Sequence, residues 1–226
     1  MDYSTKTGFI FDMDGVLVDN ARFHTQAWLA LFERLGVTVD PQAFHLENAG
    51  QTNAAILRWK LGNELSEDEI NGYAQEKESL YRDLYRPHAR PLPGLVAFLE
   101  ESQQLCVPMA VATSADKDNI SLVLDGLDLR RYFKVIVGAE DIQHSKPHPE
   151  IFLTAAARLG LPPEQCVVFE DSLAGLQAAE SARMRLVLIT TSLDGSSPGI
   201  PHQADITAPN FTRLDPAELL NESSER

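Results

Sequence analysis

Two aspartates with a single residue between them, Asp12 and Asp14, follow a short apolar run near the start of the chain. The run, residues 8–11, is brief, aromatic and β-branched, which predicts a buried strand. Because strand side chains alternate in direction, both carboxylates would project to the same side at the strand's carboxyl end. Two crowded carboxylates repel each other, and a hard divalent cation with oxygen ligands relieves that repulsion. The alternative is an ordinary polar turn, for which Asp and Gly15 are suitable residues.

Three further segments contain polar residues of types that suit a phosphate site. Ser114 ends an apolar run and could hold a phosphate together with backbone N–H groups of the next helix, although a helix cap is its more ordinary role. Lys146 lies in Ser-Lys-Pro-His-Pro, where two prolines stiffen the backbone and could place its ammonium beside an anion; the alternative is an exposed loop lysine. Glu170 and Asp171 follow another apolar run, so they would lie at the end of a strand. Their alternative role is that of an acidic pair at a helix N-terminus, which the helix dipole would favour.

Alternating strand and helix patterns surround these positions from residue 95 onward. Apolar runs predict strands at 107–112, 135–137, 167–169 and 186–189, and helical spacing predicts helices at 95–103, 118–124, 149–159 and 173–181. Such alternation with short connections predicts an α/β fold, a doubly wound parallel sheet with helices on both faces. In sheets of this kind ligands bind at the carboxyl ends of the strands, where the polar residues stand.

Between residues 21 and 86 the sequence shows only helical patterns. One helix should run from Phe23 to Leu35 and end at Gly36, and two short helical patterns, separated near residues 48–50, should follow Asp40-Pro41. A capping box at residues 66–69 should start a longer helix. Segment 87–94 is rich in the helix-breaking residues proline and glycine, and it should lead the chain from the helical block back to the core. We therefore predict an all-helical cap domain at residues 20–87, inserted into a core of residues 1–19 and 88–226.

Composition restricts the class of partner. The chain has 226 residues and a net charge of −14, which argues against nucleic acid or an anionic membrane as the main partner. It has no apolar run near the roughly 20 residues of a membrane span and no secretory signal pattern at its start. Cys106 and Cys166 border apolar runs, so both are expected to be small buried residues. A cytoplasmic protein, monomeric by default, is the expectation.

Together these motifs resemble those of the haloacid dehalogenase superfamily, in the branch that contains β-phosphoglucomutase and small-molecule phosphatases. The resemblance rests on the run Asp12-Met13-Asp14-Gly15-Val16, Ser114, Lys146 and the pair Glu170-Asp171. It extends across the Rossmann-like core and the cap inserted after the first strand.

The resemblance implies a role for each of these residues. Asp12 would be the nucleophile that forms an aspartyl-phosphate, and Asp14 the general acid and base. Mg²⁺ would lie between Asp12, the backbone carbonyl of Asp14 and Asp171, with Glu170 as a further ligand or an orienting residue. Phosphoryl oxygens would be bound by Ser114 and Lys146.

In the cap, which should decide the substrate, the match to the mutase is partial. His24, Trp28 and Lys77 match its cap residues, but Asn53 stands where it has a phosphate-binding arginine, and Asp116 replaces a phosphate-binding serine. Losing both groups should weaken a second phosphate site by several kcal/mol, at about 1.5–3 for each charge-assisted hydrogen bond. The candidate substrate-binding residues are His24, Trp28, Gly50, Gln51, Thr52, Asn53, Lys77, Ala115, Asp116 and Lys117.

These departures favour a Mg²⁺-dependent phosphatase that acts on a small organic monophosphate, such as a sugar phosphate. A mutase must retain its bisphosphate intermediate, whereas a site without those groups admits water more easily. Three alternatives stay open: a β-phosphoglucomutase-type mutase, an inorganic pyrophosphatase with Glu47 or Gln51 near the metal, and a non-catalytic binding or regulatory protein. Dehalogenation is disfavoured, because Asp14 and the pair Glu170-Asp171 suit a metal-dependent phosphate site.

Overall fold

One parallel sheet forms the centre of the fold. The computed structural model describes residues 7–41, 44, 51–193 and 204–221 of the chain. Its six strands lie in the order β3-β2-β1-β4-β5-β6, with all neighbours parallel. The strands are β1 (Gly8–Phe11), β2 (Met109–Ala112), β3 (Val135–Val137), β4 (Cys166–Glu170), β5 (Arg185–Ile189) and β6 (Ile206–Ala208). This order places β1 inside the sheet and confirms the predicted doubly wound α/β architecture.

Helices cover the sheet and form the insertion that follows β1. The α-helices of the described residues are α1 (Ala21–Arg34), α2 (Asn53–Leu61), α3 (Glu67–Tyr85), α4 (Leu95–Gln104), α5 (Lys117–Leu124), α6 (Glu150–Leu159), α7 (Leu173–Ser181) and α8 (Pro216–Asn221). None of these helices is long and apolar enough to cross a membrane.

The sheet has a separate apolar layer on each face, because strand side chains alternate. Phe9 and Phe11 of β1 belong to one layer and Ile10 to the other. On the first face the rings of Phe11 and Phe169 stack with centroids 4.4 Å apart. Helices pack on both layers, so β1 is buried throughout.

The strand register brings several polar chain segments to one edge of the sheet. Phe11, the last residue of β1, pairs with Val111 of β2 and Phe169 of β4. The next amide, that of Asp12, donates to the carbonyl of Phe169 at 2.9 Å. The residues that follow β1 and β2 and the last residue of β4 therefore lie side by side.

The cap helices have an apolar cluster of their own, and between residues 21 and 85 the described part of the chain contains no strand. Ser66 and Glu69 form the predicted capping box at the start of α3, and the Thr52 hydroxyl caps α2. Of the segment after Asp40-Pro41, residues 42–43 and 45–50, including the proposed break near 48–50, fall outside the described residues. The cluster comprises Trp28, Leu31, Phe32, Phe44, Ile56, Leu57 and Ile70.

The two segments that join cap and core pair with each other. The amide of Leu92 donates to the carbonyl of Leu17 at 2.9 Å, and Val18 bridges to Pro91. The cap therefore leaves and re-enters the core at one place. The domain boundaries at residues 20 and 87 stay a prediction.

Three features differ from the sequence expectations. Cys106 was expected to be buried and this was wrong: it is exposed, in a turn with φ 57°, because β2 begins only at Met109. Cys166 is buried as expected, and both thiols are free. The sequence reading also missed β6 and α8, which have three and six residues.

Candidate active site

A cavity of about 360 Å³ lies where the carboxyl edge of the sheet faces the cap helices. Asp12 and Asp14 line it after β1, and Thr113 and Ser114 line it after β2. Side chains of α1, α2 and α3 complete the wall. The cavity is therefore built from both structural parts.

Three buried carboxylates, those of Asp12, Glu170 and Asp171, lie together at this edge of the sheet; Asp12 and Asp171 line the cavity, and Glu170 lies beside them. One oxygen of each lies within 4.8 Å of the others. Lys146, which is only 3% exposed, places its Nζ 2.7 Å from Asp12 Oδ1 and 2.5 Å from Glu170 Oε1. Lys146, in the Ser-Lys-Pro-His-Pro segment, is therefore a buried cation and not an exposed loop lysine.

The charges of this group are unbalanced, because three carboxylates face one ammonium. Burial, Glu170 and Asp14 raise the pKa of Asp12 to about 7 against the lowering effect of Lys146. Burial and the two neighbouring carboxylates also raise the pKa of Asp171 well above its usual range. Burial alone would lower the pKa of Lys146, but Asp12 and Glu170 raise it.

Asp12, Glu170 and Asp171 fit a magnesium ion. Their oxygens are the hard ligands that Mg²⁺ prefers, and its charge would offset the excess of buried anions. The side chain of Asp14 lies outside this group. A second group that could hold a metal, composed of His144, His148 and Glu150, lies at the surface and does not line the cavity.

The chain after β4 fixes the Glu170 carboxylate. Glu170 Oε2 accepts hydrogen bonds from the amides of Asp171 and Ser172 at 2.7 and 2.8 Å and from Ser172 Oγ at 3.0 Å. Asp171 Oδ2 in turn accepts from Thr191 Oγ1 at 3.2 Å and from the hydroxyl of Ser192. The acidic pair is therefore held by its own strand end and by the segment after β5.

Asp14 occupies a different electrostatic setting from Asp12. Asn20 Nδ2 donates to Asp14 Oδ1 at 2.6 Å, and His24 Nε2 lies 3.7 Å from Asp14 Oδ2. Burial raises the pKa of Asp14 to about 6, although the Asn20 hydrogen bond lowers it. A carboxyl group with this pKa can both give and take a proton near neutral pH.

The Ser114 hydroxyl faces the cavity without a partner. Its Oγ is buried and makes no hydrogen bond to any of the described residues. The alternative role, the cap of α5, belongs to Asp116, whose Oδ1 accepts from the amide of Asn119 at 2.8 Å. Because buried hydroxyls are rarely left unpaired, Ser114 is available to a ligand.

His24, Trp28 and Lys77, the cap residues that match those of the mutase, lie close together in the structure. Lys77 Nζ donates to His24 Nδ1 at 2.8 Å and lies 5.1 Å from the centre of the Trp28 ring. Burial and the neighbouring ammonium lower the pKa of His24 to about 3, so this imidazole is neutral. The His24 ring stacks on Tyr81 with centroids 3.7 Å apart.

The remaining candidates divide into those that line the cavity and those that do not. Gln51, Thr52, Asn53, Ala115 and Asp116 line it. Lys117, predicted to bind substrate, does not: its ammonium is exposed and pairs with Glu140. Gly50 and Glu47 lie outside the described residues.

Comparison with known proteins agrees with this geometry. Residues 9–189 match the haloacid dehalogenase-like hydrolase family. The chain belongs to this family. It is 35% identical over 190 residues to the fructose-1-phosphate phosphatase YqaB of Escherichia coli, covering 82% of this chain and 97% of that one. It is 30% identical over 217 residues to the phosphorylated carbohydrates phosphatase of Thermotoga maritima, covering 94% and 95%.

The chain is also similar to solved structures of this family. β-Phosphoglucomutase from Clostridium difficile superposes with a TM-score of 0.85 at 27% identity, covering 97% of this chain and 98% of that one. This haloacid dehalogenase-like hydrolase is therefore a phosphohydrolase of the branch that its motifs predict.

Sequence reasoning missed several side chains at this site, above all Glu78 and Asn119. Asn119 Nδ2 donates to Glu78 Oε2 at 2.7 Å, and both residues line the cavity. Arg82 also reaches α5, where its Nη1 donates to Asn119 Oδ1 at 3.2 Å. The sequence signal that could have indicated Glu78 was its position next to the candidate Lys77 on an amphipathic helix.

Proposed function

We propose that this hydrolase is a Mg²⁺-dependent phosphatase that acts on a small phosphorylated metabolite, with a sugar phosphate as the first candidate. The observation that carries the proposal is the convergence of Asp12, Asp14, Ser114 and Lys146 on one cavity. The two relatives named above, phosphatases of phosphorylated carbohydrates, support the substrate class.

The reaction follows from the separate settings of the two aspartates. Asp12 attacks the phosphorus atom, so an aspartyl-phosphate bond forms as the bond to the ester oxygen breaks. Asp14, with its pKa near 6, gives its proton to that leaving oxygen. Its carboxylate then takes a proton from the water molecule that attacks the aspartyl-phosphate, which releases inorganic phosphate and restores Asp12.

Ser114 and Lys146 bind and orient the phosphoryl group in this scheme. The unpaired hydroxyl of Ser114 donates to one phosphoryl oxygen, and Lys146 offers a buried positive charge beside the nucleophile. Asp12, Asp171 and the backbone carbonyl of Asp14 would hold Mg²⁺, with Glu170 as a ligand or an orienting residue, and the ion would supply positive charge beside the phosphoryl oxygens.

A phosphosugar mutase is the second candidate, because the chain superposes on β-phosphoglucomutase and brings His24 and Lys77 together. Hydrolysis is favoured over transfer by the residues that replace the mutase's phosphate-binding groups. Asn53 and Asp116 both line the cavity, and neither offers a positive charge that would retain a bisphosphate.

Release of p-nitrophenol from p-nitrophenyl phosphate tests the phosphatase. We expect activity with Mg²⁺, its loss in EDTA, and at least about a 10³-fold lower kcat in Asp12→Asn, since the nucleophile is removed. Asp128→Asn, an exposed aspartate paired with Arg131, is the matched control and should keep full activity. Undiminished release by Asp12→Asn would refute the proposal.

The mutase is tested with β-glucose 1-phosphate and a trace of glucose 1,6-bisphosphate. A phosphatase releases inorganic phosphate faster than glucose 6-phosphate appears. The reverse order would identify a mutase.

A further inference from the structure

At the end of the cavity where α3 faces α5, the basic side chains already have acidic partners. Lys77 Nζ lies 2.7 Å from Glu78 Oε1. Arg82, which reaches α5 from the cap, lies 3.7 Å from Asp116 Oδ2 and 3.6 Å from Asp118 Oδ2. Among the described residues that line this end of the cavity, no cation is left to receive a second anionic group.

Glu78 is the centre of this arrangement. The residue is 6% exposed; Oε1 accepts from Lys77 and from Asn53 Nδ2 at 2.8 Å, and Oε2 accepts from Asn119 Nδ2. These partners come from α2, α3 and α5, so the carboxylate has a fixed place between cap and core. Burial would raise its pKa, but Lys77, His24 and the hydrogen bonds lower it to about 2, so Glu78 stays charged.

Resting on the proposed function, we propose that Glu78 and Asp116 make this end of the cavity a subsite for a neutral polyhydroxyl group, and that they exclude a second phosphate. Hydroxyl groups can donate hydrogen bonds to carboxylate oxygens, whereas an ionised phosphate has only acceptors and the same charge. The natural substrate is then a phosphate monoester of a neutral polyol or sugar.

The rest of the subsite suits such a group. Trp28 offers an aromatic wall, and Gln51, Thr52 and Asn53 bring amide and hydroxyl groups to the cavity. Asp116 Oδ2 has its basic partner at 3.7 Å, beyond hydrogen-bond distance, so it can accept from a hydroxyl. Discrimination between ligands here works by repulsion as well as by attraction.

The test compares fructose 1-phosphate with fructose 1,6-bisphosphate, which differ only in the second phosphate. Affinities are measured by calorimetry on Asp12→Asn protein with Mg²⁺, so that neither ligand needs to be turned over. We expect the monophosphate to bind at least about tenfold more tightly, the ratio that corresponds to about 1.4 kcal/mol.

Neutralising either carboxylate should reduce the ratio of the affinities for the monophosphate and the bisphosphate. Glu78→Gln and Asp116→Asn, each added to Asp12→Asn, should reduce the preference for the monophosphate by about tenfold, because one repulsive charge is removed. Asp116→Asn keeps a good helix cap, so it serves as an independent variant if Glu78→Gln does not fold. Glu76→Gln, on the same helix and paired with Arg34 at the surface, should leave the ratio unchanged.

Three outcomes would overturn the inference: equal or tighter binding of the bisphosphate, no binding of either ligand, or a preference that neither variant changes. A preference for the monophosphate in a protein that hydrolyses no phosphate ester would support the subsite and count only against the proposed function.

Discussion

Gly175→Ala adds one methyl group where the structure leaves no room for it. A Cβ built on Gly175, within α7, would overlap the carboxylate of Glu170. That carboxylate is fully buried and bonded to the amides of Asp171 and Ser172 and to Lys146. The methyl group can be accommodated only if Glu170 moves and gives up part of this network.

The expected cost combines three effects. Overpacking of a buried site costs about 1–3 kcal/mol, and a lost hydrogen bond to a charged group costs about 1.5–3 kcal/mol. Alanine regains about 1 kcal/mol of helix propensity over glycine. The net loss in the free energy of unfolding is therefore about 3 kcal/mol, which for a chain of this size lowers the melting temperature by roughly 6–12 °C.

Thermal and urea unfolding, followed by circular dichroism in EDTA so that no metal contributes, measure this loss. Gly72→Ala is the matched control, because Gly72 lies within α3 and no atom of the described residues lies within 4 Å of its Cβ position. It should be neutral or stabilise the protein by up to about 1 kcal/mol. Gly175→Ala should also lower kcat, since Glu170 and Lys146 move together. If Gly175→Ala were as stable as Gly72→Ala, the place assigned to Glu170 would be wrong.

Two further predictions concern unpaired or neutral groups in the cavity. Ser114→Ala should lower kcat/KM for p-nitrophenyl phosphate by about 10- to 100-fold, in line with loss of one phosphoryl hydrogen bond. It should not lower the melting temperature, because the Ser114 hydroxyl has no partner among the residues that the structure describes. A lower melting temperature with full activity would contradict this role. Since burial and Lys77 lower the pKa of His24 from 6.5 to about 3, folding favours the neutral ring, and stability present above pH 6.5 is lost as pH falls towards 3. Between pH 6.5 and 5 the wild type should lose about 2 kcal/mol more than His24→Gln in urea unfolding, and equal slopes would refute the assignment.

The strand-end residues were predictable from the sequence, because the carboxyl ends of parallel strands share one edge of the sheet. Asp12, Ser114 and Glu170 each follow or end an apolar run, so their convergence needs only the strand order. Lys146 needed more than a pattern, since nothing local distinguishes a buried lysine from an exposed one.

The cap side of the site was less accessible to sequence reasoning. Glu78 and Asn119 lie on different helices, 41 positions apart, and meet only because α3 packs over the start of α5. For Lys117 the error was the opposite one, a residue wrongly included. It neighbours Asp116 in sequence and was predicted to bind substrate, yet its ammonium lies at the surface with Glu140. On a helix, adjacent residues face different directions, so a motif carried over as a continuous run places some members wrongly.

The excess of carboxylates beside Lys146 should make phosphate binding depend on the metal. Among the described residues, Lys146 is the cation that pairs with this group of three carboxylates. When these carboxylates are ionised and no second cation is bound, an incoming phosphate meets net negative charge within a strongly anionic protein. Inorganic phosphate should therefore bind at least about tenfold more weakly in EDTA than with Mg²⁺, and by linkage phosphate should tighten Mg²⁺ binding by the same factor. Calorimetric titrations in both orders measure the two factors, and Asp171→Asn, with one anion fewer, should reduce both. Phosphate affinity that is the same with and without Mg²⁺ would mean that Lys146 and Ser114 alone bind the anion.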